Sequence, residues 1–242
     1  MVLGTTAEAA TLSKEEKKQV TEHIIKVNNG RLPLVLGIGG NNTAEVKKQI
    51  EETDLSAFEA VLSVSPYYNK PNQEGIYQHY RALAEIGKQI IIYNVPGRTG
   101  QNVEASTTLR LAKDFTNLSI IKEAAPNIAQ YFDILRKKPA GFSLLSGDDE
   151  FTLPVTLAGG SGVISVIGQA YPKQFSDMLK LAFERRVDDA YAIHNSLVEI
   201  TRLIFAEGNP VGIKTVLAEM GLIKNVLRLP DRKSTRLNSS HW

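Results

Sequence analysis

Short apolar segments alternate with amphipathic segments along most of the chain, and this alternation restricts the possible folds more than any other feature of the sequence. The pattern is typical of parallel strands joined by right-handed helical crossovers, in a closed barrel or in a doubly wound sheet. Because no glycine-rich dinucleotide motif follows the first apolar segment, the doubly wound alternative is weaker. We predict seven strands, at residues 1–6, 33–39, 60–65, 89–95, 118–124, 142–145 and 162–167.

The amphipathic segments between these strands predict the helices. Ser13 and Glu16 form a capping-box signature ahead of the first helix, which we expect over residues 14–28. Asn209 and Pro210 are expected to provide the cap and the first residue of the last helix. The other predicted helices lie at residues 42–52, 73–86, 104–115, 126–137, 150–158, 173–184 and 187–205.

Length and composition limit the class of protein. A chain of 242 residues is within the range of a single α/β barrel, which commonly has about 250 residues. We predict a barrel over residues 1–185 and a helical region over residues 186–230. The absence of cysteine excludes a disulfide framework, thiolate-bound zinc and a cysteine nucleophile. The sequence shows no signal peptide and no apolar segment of membrane length, so we expect a cytoplasmic protein without a membrane partner.

Residues 231–242 differ in character from the rest of the chain. They have no apolar periodicity and resemble the translation of a sequencing adapter, so we interpret them as a non-native tail. The tail holds three of the 28 Lys and Arg residues and one of the 26 Asp and Glu residues, which leaves 25 of each elsewhere. The net charge of +2 therefore indicates no anionic partner, and no basic stripe supports nucleic-acid binding.

The predicted strand at residues 118–124 contains a lysine, Lys122, near its carboxyl end. In α/β barrels the carboxyl ends of the strands carry the active site. An amine in an apolar pocket loses its proton more easily, and it can then attack a carbonyl group to form a Schiff base. The alternative is a structural lysine whose ammonium group reaches solvent, so the other strand ends must decide between these interpretations.

Polar side chains at the other strand ends favour a Schiff-base enzyme. In a barrel these ends converge on one mouth, which would bring proton-relaying hydroxyl groups close to the Lys122 amine. Arg98 follows the fourth predicted strand and offers a bidentate site for a carboxylate. Such groups can convert a keto acid into a nucleophilic enamine without a metal or another cofactor. The strand-end residues are Thr5, Thr6, Tyr67, Tyr68, Tyr93, Gly147 and Ile164.

Five motifs, in order, resemble the motif series of the dihydrodipicolinate synthase family, within the superfamily of pyruvate-dependent class I aldolases and N-acetylneuraminate lyases. The resemblance covers residues 1–230 and implies a (β/α)8 TIM barrel with a C-terminal helical extension. It also implies a cofactor-free lyase that condenses pyruvate with L-aspartate 4-semialdehyde in lysine biosynthesis through diaminopimelate. The motifs are GTTAE at 4–8, PYYN at 66–69, YNVPGRTG at 93–100, IKEA at 121–124 and LSGDD at 145–149.

The resemblance also implies roles for individual residues. Lys122 would form the pyruvate imine, and three hydroxyl groups would relay protons, those of Tyr93, Thr5 and Tyr68. Tyr68 would come from the neighbouring subunit of a homodimer, or of a homotetramer built from dimers. Arg98 would bind the carboxylate of the semialdehyde, a group that distinguishes the family from sugar-acid aldolases, which do not keep the GRTG loop. The residues that would bind pyruvate are Thr6, Gly147 and Ile164.

Three further residues, Asn41, Glu45 and Tyr67, resemble the allosteric lysine site that the family has at its dimer interface. Lys14 and Lys17 occupy positions that are histidines in feedback-sensitive members, and their positive charges would repel a cationic effector. We therefore expect weak or absent inhibition by lysine.

The family has another strand and helix before the position of Met1 and further helix after Pro230. The resemblance thus implies a barrel that lacks its first strand and helix and has only a partial C-terminal extension. Because unpaired parallel edges favour aggregation, we expect this chain to express poorly or to be inactive.

Other classes of function stay open at this point. Among enzymes, the alternative is another pyruvate-dependent aldolase that acts on a sugar acid. Outside enzymes, a non-catalytic barrel that senses a keto acid and an inactive structural remnant are the alternatives. We expect no metal site, because the histidines lack metal-ligand spacing and the acidic residues 148–150 are typical of a helix N-terminus.

Overall fold

Six parallel strands form one sheet in which each strand lies beside the next strand of the sequence. The computed structural model describes residues 1–234. The strands are β1 (Val35–Gly37), β2 (Ala60–Val64), β3 (Ile90–Asn94), β4 (Ile120–Glu123), β5 (Ser143–Ser146) and β6 (Gly162–Val163). This order of strands confirms the predicted parallel α/β architecture.

The first predicted strand, at residues 1–6, does not form. Val2 alone pairs with Leu36, in parallel orientation, through two backbone hydrogen bonds of 2.8 Å. Leu3 then has a φ of 55°, in the left-handed region, so the backbone leaves the extended conformation and enters a 3-10 helix at Thr5–Ala7. The prediction of seven strands is therefore wrong for the described residues, which contain six strands and this single bridge.

The last strand is shorter than the predicted segment at residues 162–167. β6 ends after Val163, and beyond it the N–H groups of Val166 and Ile167 donate to the carboxylate of Asp149 at 3.0 and 2.9 Å. A carboxylate thus takes the place of a neighbouring strand as the acceptor for this segment. The backbone after β6 consequently follows Asp149 and ends the sheet.

The helices lie where the amphipathic pattern predicts them. The capping box is formed, since Ser13 Oγ accepts from the Glu16 N–H at 3.2 Å and the Glu16 carboxylate accepts from the Ser13 N–H at 2.8 Å. Two details differ: residues 96–100, predicted as a loop, contain a short helix, and Pro210 is the cap of the last helix instead of its first residue. The helices of the described residues are α1 (Lys14–Asn28), α2 (Thr43–Glu52), α3 (Gln73–Ala84), α4 (Pro96–Thr99), α5 (Ala105–Asp114), α6 (Ile128–Lys137), α7 (Thr152–Leu157), α8 (Pro172–Phe183), α9 (Val187–Phe205) and α10 (Val211–Glu219).

Alternate side chains of the strands pack into two different cores. Val61, Ile90 and Ile121 belong to the larger cluster, which includes buried residues of the helices α2, α3, α5 and α6. Leu62 and Ile91 point the other way and form a smaller cluster on the inner face of the sheet. The inner face carries the side chains that extend toward the carboxyl ends of the strands, where barrel folds have their active sites.

The helices α8, α9 and α10 have a core of their own, in which Phe175, Met178 and Ile204 are buried. α10 packs so closely on α9 that a Cβ atom at Gly212 would lie 2.0 Å from the Ile204 carbonyl oxygen. The same core includes Leu153 of α7, which joins these helices to the end of the sheet. No helix within residues 1–234 has both the length and the apolar character that crossing a membrane requires.

Candidate active site

A cavity of about 880 Å³ opens at the carboxyl ends of the strands. Its wall combines the strand ends, the 3-10 helix near the N-terminus and the C-terminal part of α9. Most of the strand-end residues selected from the sequence meet here. The predicted site residues that line the cavity are Thr5, Thr6, Tyr93, Arg98, Lys122, Gly147 and Ile164.

Lys122 lies in the wall of this cavity with only 8% of its surface exposed. It follows Ile121 on β4, and its side chain points to the inner face because Ile121 packs on the outer face. Tyr93 is its register partner on β3, and the Lys122 Nζ atom lies 4.3 Å from the centre of the Tyr93 ring. The structure thus provides a shielded amine in contact with an aromatic face, with an opening through which a small carbonyl compound can approach.

Gly147 leaves the space that the Lys122 side chain occupies. A Cβ atom at this position would lie 2.9 Å from Lys122 Cε and 2.7 Å from Ala124 Cβ. Its backbone N–H donates to the Glu123 carbonyl at 2.7 Å, so the backbone cannot move away without losing this bond. Any larger residue at Gly147 would therefore displace the amine.

Arg98 extends from α4 to the rim of the cavity. Its Nη2 donates to the carbonyl oxygen of Asn209 at 2.8 Å, and the Asn209 side-chain amide donates to Thr6 Oγ1 at 2.9 Å. Asn209 thus connects the predicted carboxylate-binding arginine to the predicted pyruvate-binding threonine. The sequence indicated Asn209 only as a helix cap, and its place in the site depends on the C-terminal helices packing over the carboxyl ends of the strands.

A second arginine, Arg202, lies on the cavity wall and was not selected from the sequence. Its guanidinium group forms an ion pair with Glu150, which also lines the cavity. This ion pair lowers the pKa of the Glu150 carboxyl group. The two charges offset one another, so Arg202 already has an anionic partner, whereas Arg98 at the rim forms no ion pair within the described residues 1–234.

The loop that carries Thr5 and Thr6 is fixed by the C-terminal part of the chain. Glu8 has a φ of 52°, and its carboxylate accepts from Lys214 Nζ at 2.6 Å and from the Arg228 N–H at 2.9 Å. The Glu8 and Lys214 side chains are both largely buried, so solvent screens this ion pair less than a surface pair. No local signal in the sequence indicates this contact, because its partners are about 200 residues apart.

Four of the residues selected from the sequence lie outside this cavity. Tyr68 is 89% exposed and has a φ of 72°, and its neighbour Tyr67 is also exposed. Asn41 is half-buried and its carbonyl accepts from the Asn69 side chain at 3.0 Å, whereas Glu45 is exposed on α2. One subunit alone therefore does not bring Tyr68 to its own Lys122, and the allosteric assignment of the other three stays a prediction.

Within residues 1–234, no three side chains of His, Cys, Asp or Glu are grouped so that they could hold a metal ion. His79 is buried in the layer between helices, where its Nδ1 lies 2.9 Å from Thr43 Oγ1. Burial lowers the pKa of His79 to about 4. This histidine is therefore a neutral part of the core near neutral pH.

Known proteins resemble this chain in sequence and in structure. The family model described as the dihydrodipicolinate synthetase family matches residues 1–237. A 4-hydroxy-tetrahydrodipicolinate synthase of Flavobacterium psychrophilum is 57% identical over 231 residues, which are 95% of this chain and 79% of that relative. The crystal structure of a dihydrodipicolinate synthase from Thermotoga maritima superposes with a TM-score of 0.94 at 36% identity, over 97% of this chain and 81% of that one.

A dihydrodipicolinate synthase from Acinetobacter baumannii, solved in complex with pyruvate, is also similar. It superposes with a TM-score of 0.92 at 38% identity, over 97% of this chain and 80% of that one. The resemblance indicated by the five sequence motifs is thus confirmed over nearly the whole chain. Fold, cavity and sequence agree, and the chain belongs to the dihydrodipicolinate synthetase family.

Proposed function

We propose that this protein is a 4-hydroxy-tetrahydrodipicolinate synthase, a lyase of lysine biosynthesis that condenses pyruvate with L-aspartate 4-semialdehyde. The observation that carries the proposal is the shielded Lys122 amine against Tyr93 in a cavity that also contains Arg98. Relatives that share more than half of this sequence bear the name of that enzyme, and the Acinetobacter baumannii relative binds pyruvate.

The proposed reaction begins with attack of the Lys122 amine on the keto carbon of pyruvate. The carbinolamine loses water to give an imine, and loss of a proton from the methyl group gives an enamine. The enamine carbon then attacks the aldehyde carbon of the semialdehyde, whose oxygen takes up a proton. Finally, the amino group of the second substrate attacks the imine carbon, closes the ring and releases the Lys122 amine.

Each of these steps moves a proton, and hydroxyl groups near Lys122 are suited to that role. We assign the relay to Tyr93, Thr5 and Tyr68, and the binding of the pyruvate carboxylate to Thr6 together with the backbone at Gly147 and Ile164. Arg98 would bind the carboxylate of the semialdehyde, because within residues 1–234 it forms no ion pair, whereas Arg202 of the same cavity is paired with Glu150. These groups need neither a metal nor a cofactor for the steps above.

The exposed Tyr68 supports a homodimer in which each subunit completes the site of the other. A mixture of Lys122→Ala and Tyr68→Phe subunits tests this directly. In a mixed dimer, the site with an intact Lys122 receives an intact Tyr68, so activity should return after the two inactive or weak variants are unfolded and refolded together. If the refolded mixture has only the summed activity of the two separate variants, one subunit does not supply Tyr68 to the site of the other. Further association into a homotetramer stays a prediction.

We also propose that lysine inhibits this enzyme weakly or not at all. Lys14 is exposed and Lys17 is half-exposed on α1, and cationic side chains at these positions would repel a cationic effector. Titration with lysine at saturating pyruvate should leave turnover nearly constant into the millimolar range. Strong inhibition at sub-millimolar lysine would contradict the proposal.

The proposed function is tested by trapping and by turnover. Borohydride reduction in the presence of pyruvate, followed by peptide mass spectrometry, should place a reduced adduct on Lys122. Turnover should then require L-aspartate 4-semialdehyde and not a sugar-acid aldehyde. An adduct without use of the semialdehyde would indicate another pyruvate-dependent aldolase. No adduct, either in this chain or in a version extended to the full length of its relatives, would contradict the Schiff-base mechanism. The cytoplasmic location and the division at residue 185 stay predictions.

A further inference from the structure

Glu123 is a buried acid directly behind the cavity, and none of the steps above uses it. It is the last residue of β4, next to Lys122, and its side chain is 0% exposed. Because successive side chains of a strand point to opposite faces, Lys122 lies in the cavity and Glu123 lies between the sheet and the helices. The hydrogen-bond partners of its carboxyl group are all uncharged.

Three different groups donate hydrogen bonds to the Glu123 carboxyl group. Asn94 Nδ2 lies 2.9 and 3.0 Å from the two oxygens, the Ala125 N–H lies 2.7 Å from one, and Gln130 Nε2 lies 2.8 Å from the other. Burial raises the pKa of Glu123, and these hydrogen bonds oppose that shift. Since the surrounding groups donate and none accepts, they fit an ionised carboxylate and not a protonated acid.

Backbone atoms of Val103 fix the orientation of both side-chain amides. The Val103 N–H donates to Asn94 Oδ1 at 2.9 Å, and the Val103 carbonyl accepts from Gln130 Nε2 at 3.2 Å. Neither amide can rotate its oxygen toward Glu123 without breaking these bonds. Asn102 links the two amides, because it accepts from Asn94 Nδ2 and donates to Gln130 Oε1, each at 2.8 Å.

The same two strands, β3 and β4, pair residues on both faces of the sheet. Tyr93 is the register partner of Lys122, and Asn94 is the register partner of Glu123. The Glu123 carbonyl also accepts from Tyr131 of α6 at 2.7 Å, so both ends of this residue are bound. We propose that Glu123 is a positioning residue whose carboxylate fixes the end of β4 against β3 and thereby sets the Lys122 amine against Tyr93. The proposal rests on the proposed function.

The test is Glu123→Gln, which keeps the shape but turns an acceptor into a donor facing other donors. We expect kcat to fall on the order of ten- to a hundredfold, because small displacements of reacting groups have effects of that size. Trapping of the pyruvate imine by borohydride should slow in parallel. KM for pyruvate should change less than about threefold, since Thr6 makes its hydrogen bond to Asn209, and the Gly147 N–H is bonded to the Glu123 backbone carbonyl and not to the carboxyl group that the substitution alters.

Ile76→Val is the matched control for loss of stability alone. Ile76 is fully buried on α3 outside the network, and its shortening should lower Tm by a few degrees while kcat stays within twofold. Both variants are assayed well below their Tm values. A folded Glu123→Gln enzyme with a kcat and a trapping rate within twofold of the parent would overturn the proposal.

A second variant keeps the test decisive if Glu123→Gln does not fold. Gln130→Met removes one donor but leaves the carboxylate and the size of the side chain, and a fall in kcat of at least threefold at constant KM is expected. An unchanged kcat would count against the proposal. The unsubstituted parent, extended to the full length of its relatives if residues 1–242 alone are inactive, separates this inference from the proposed function. A full-length parent without imine or turnover refutes the function, whereas an active parent with unaffected variants refutes only the role of Glu123.

Discussion

Replacing Lys122 with alanine is expected to lower kcat/KM by at least about 10⁴-fold, since a correctly placed intramolecular amine is equivalent to roughly 10⁵ M or more of free amine. Lys122 has almost no exposed surface, and it lies against Tyr93 in the cavity wall. The measurements are turnover with both substrates and the mass of the protein after treatment with pyruvate and borohydride. The variant should show no adduct.

Two controls distinguish the loss of the nucleophilic amine from the loss of a positive charge. Lys122→Arg keeps a positive charge, but a guanidinium group stays protonated and cannot attack pyruvate, so this variant should be as inactive as Lys122→Ala. Lys173→Ala removes an exposed lysine that pairs with Asp177 on α8, and its turnover and adduct should match the parent. An adduct on another lysine in Lys122→Ala, or turnover within tenfold of the parent, would disprove the assignment.

Replacing Arg98 with alanine is expected to remove the use of L-aspartate 4-semialdehyde and to leave the pyruvate imine intact. Two charge-assisted hydrogen bonds to a carboxylate contribute about 3–4 kcal/mol, which corresponds to a fall in kcat/KM for the semialdehyde on the order of 10²- to 10³-fold. The rate of borohydride trapping with pyruvate alone should stay within about twofold, because Arg98 lies at the rim, on α4.

Arg202→Ala is the matched control, since Arg202 lines the same cavity but is already paired with Glu150. Its loss should raise KM for the semialdehyde less than about tenfold. Equal effects of the two substitutions would show that the overall charge of the cavity binds the carboxylate and that Arg98 has no specific role. A loss of imine trapping in Arg98→Ala would contradict its assignment to the second substrate.

Several residues that line the cavity could be predicted from the sequence, because in barrels the active site lies at the strand ends, and the local pattern marks those positions. Lys122, Tyr93 and Gly147 each follow or end an apolar segment, and the structure brings all three to one cavity. Asn209 and Arg202 could not be selected in the same way. They lie on or after α9, and only the packing of the C-terminal helices over the carboxyl ends of the strands brings them to the cavity.

The alternation of strands and helices, the capping box of α1 and the family could all be read from the sequence, because these depend on neighbouring residues and on ordered motifs. Where each strand ends depends instead on contacts between distant parts of the folded chain. Residues 1–6 form a bridge at Val2 instead of a strand because Leu3 adopts a left-handed φ, and β6 ends early because Asp149 accepts the next N–H groups.

The tertiary structure alone also revealed the polar network behind Lys122. Asn94 and Glu123 are 29 residues apart, and Gln130 belongs to another element, so no local pattern indicates that they meet. Parallel pairing of β3 with β4 brings the first two side chains together, and packing of α6 on the sheet adds the third. Hydrogen bonds between distant residues depend on the register and packing of whole elements, which the folded chain fixes and its local sequence does not.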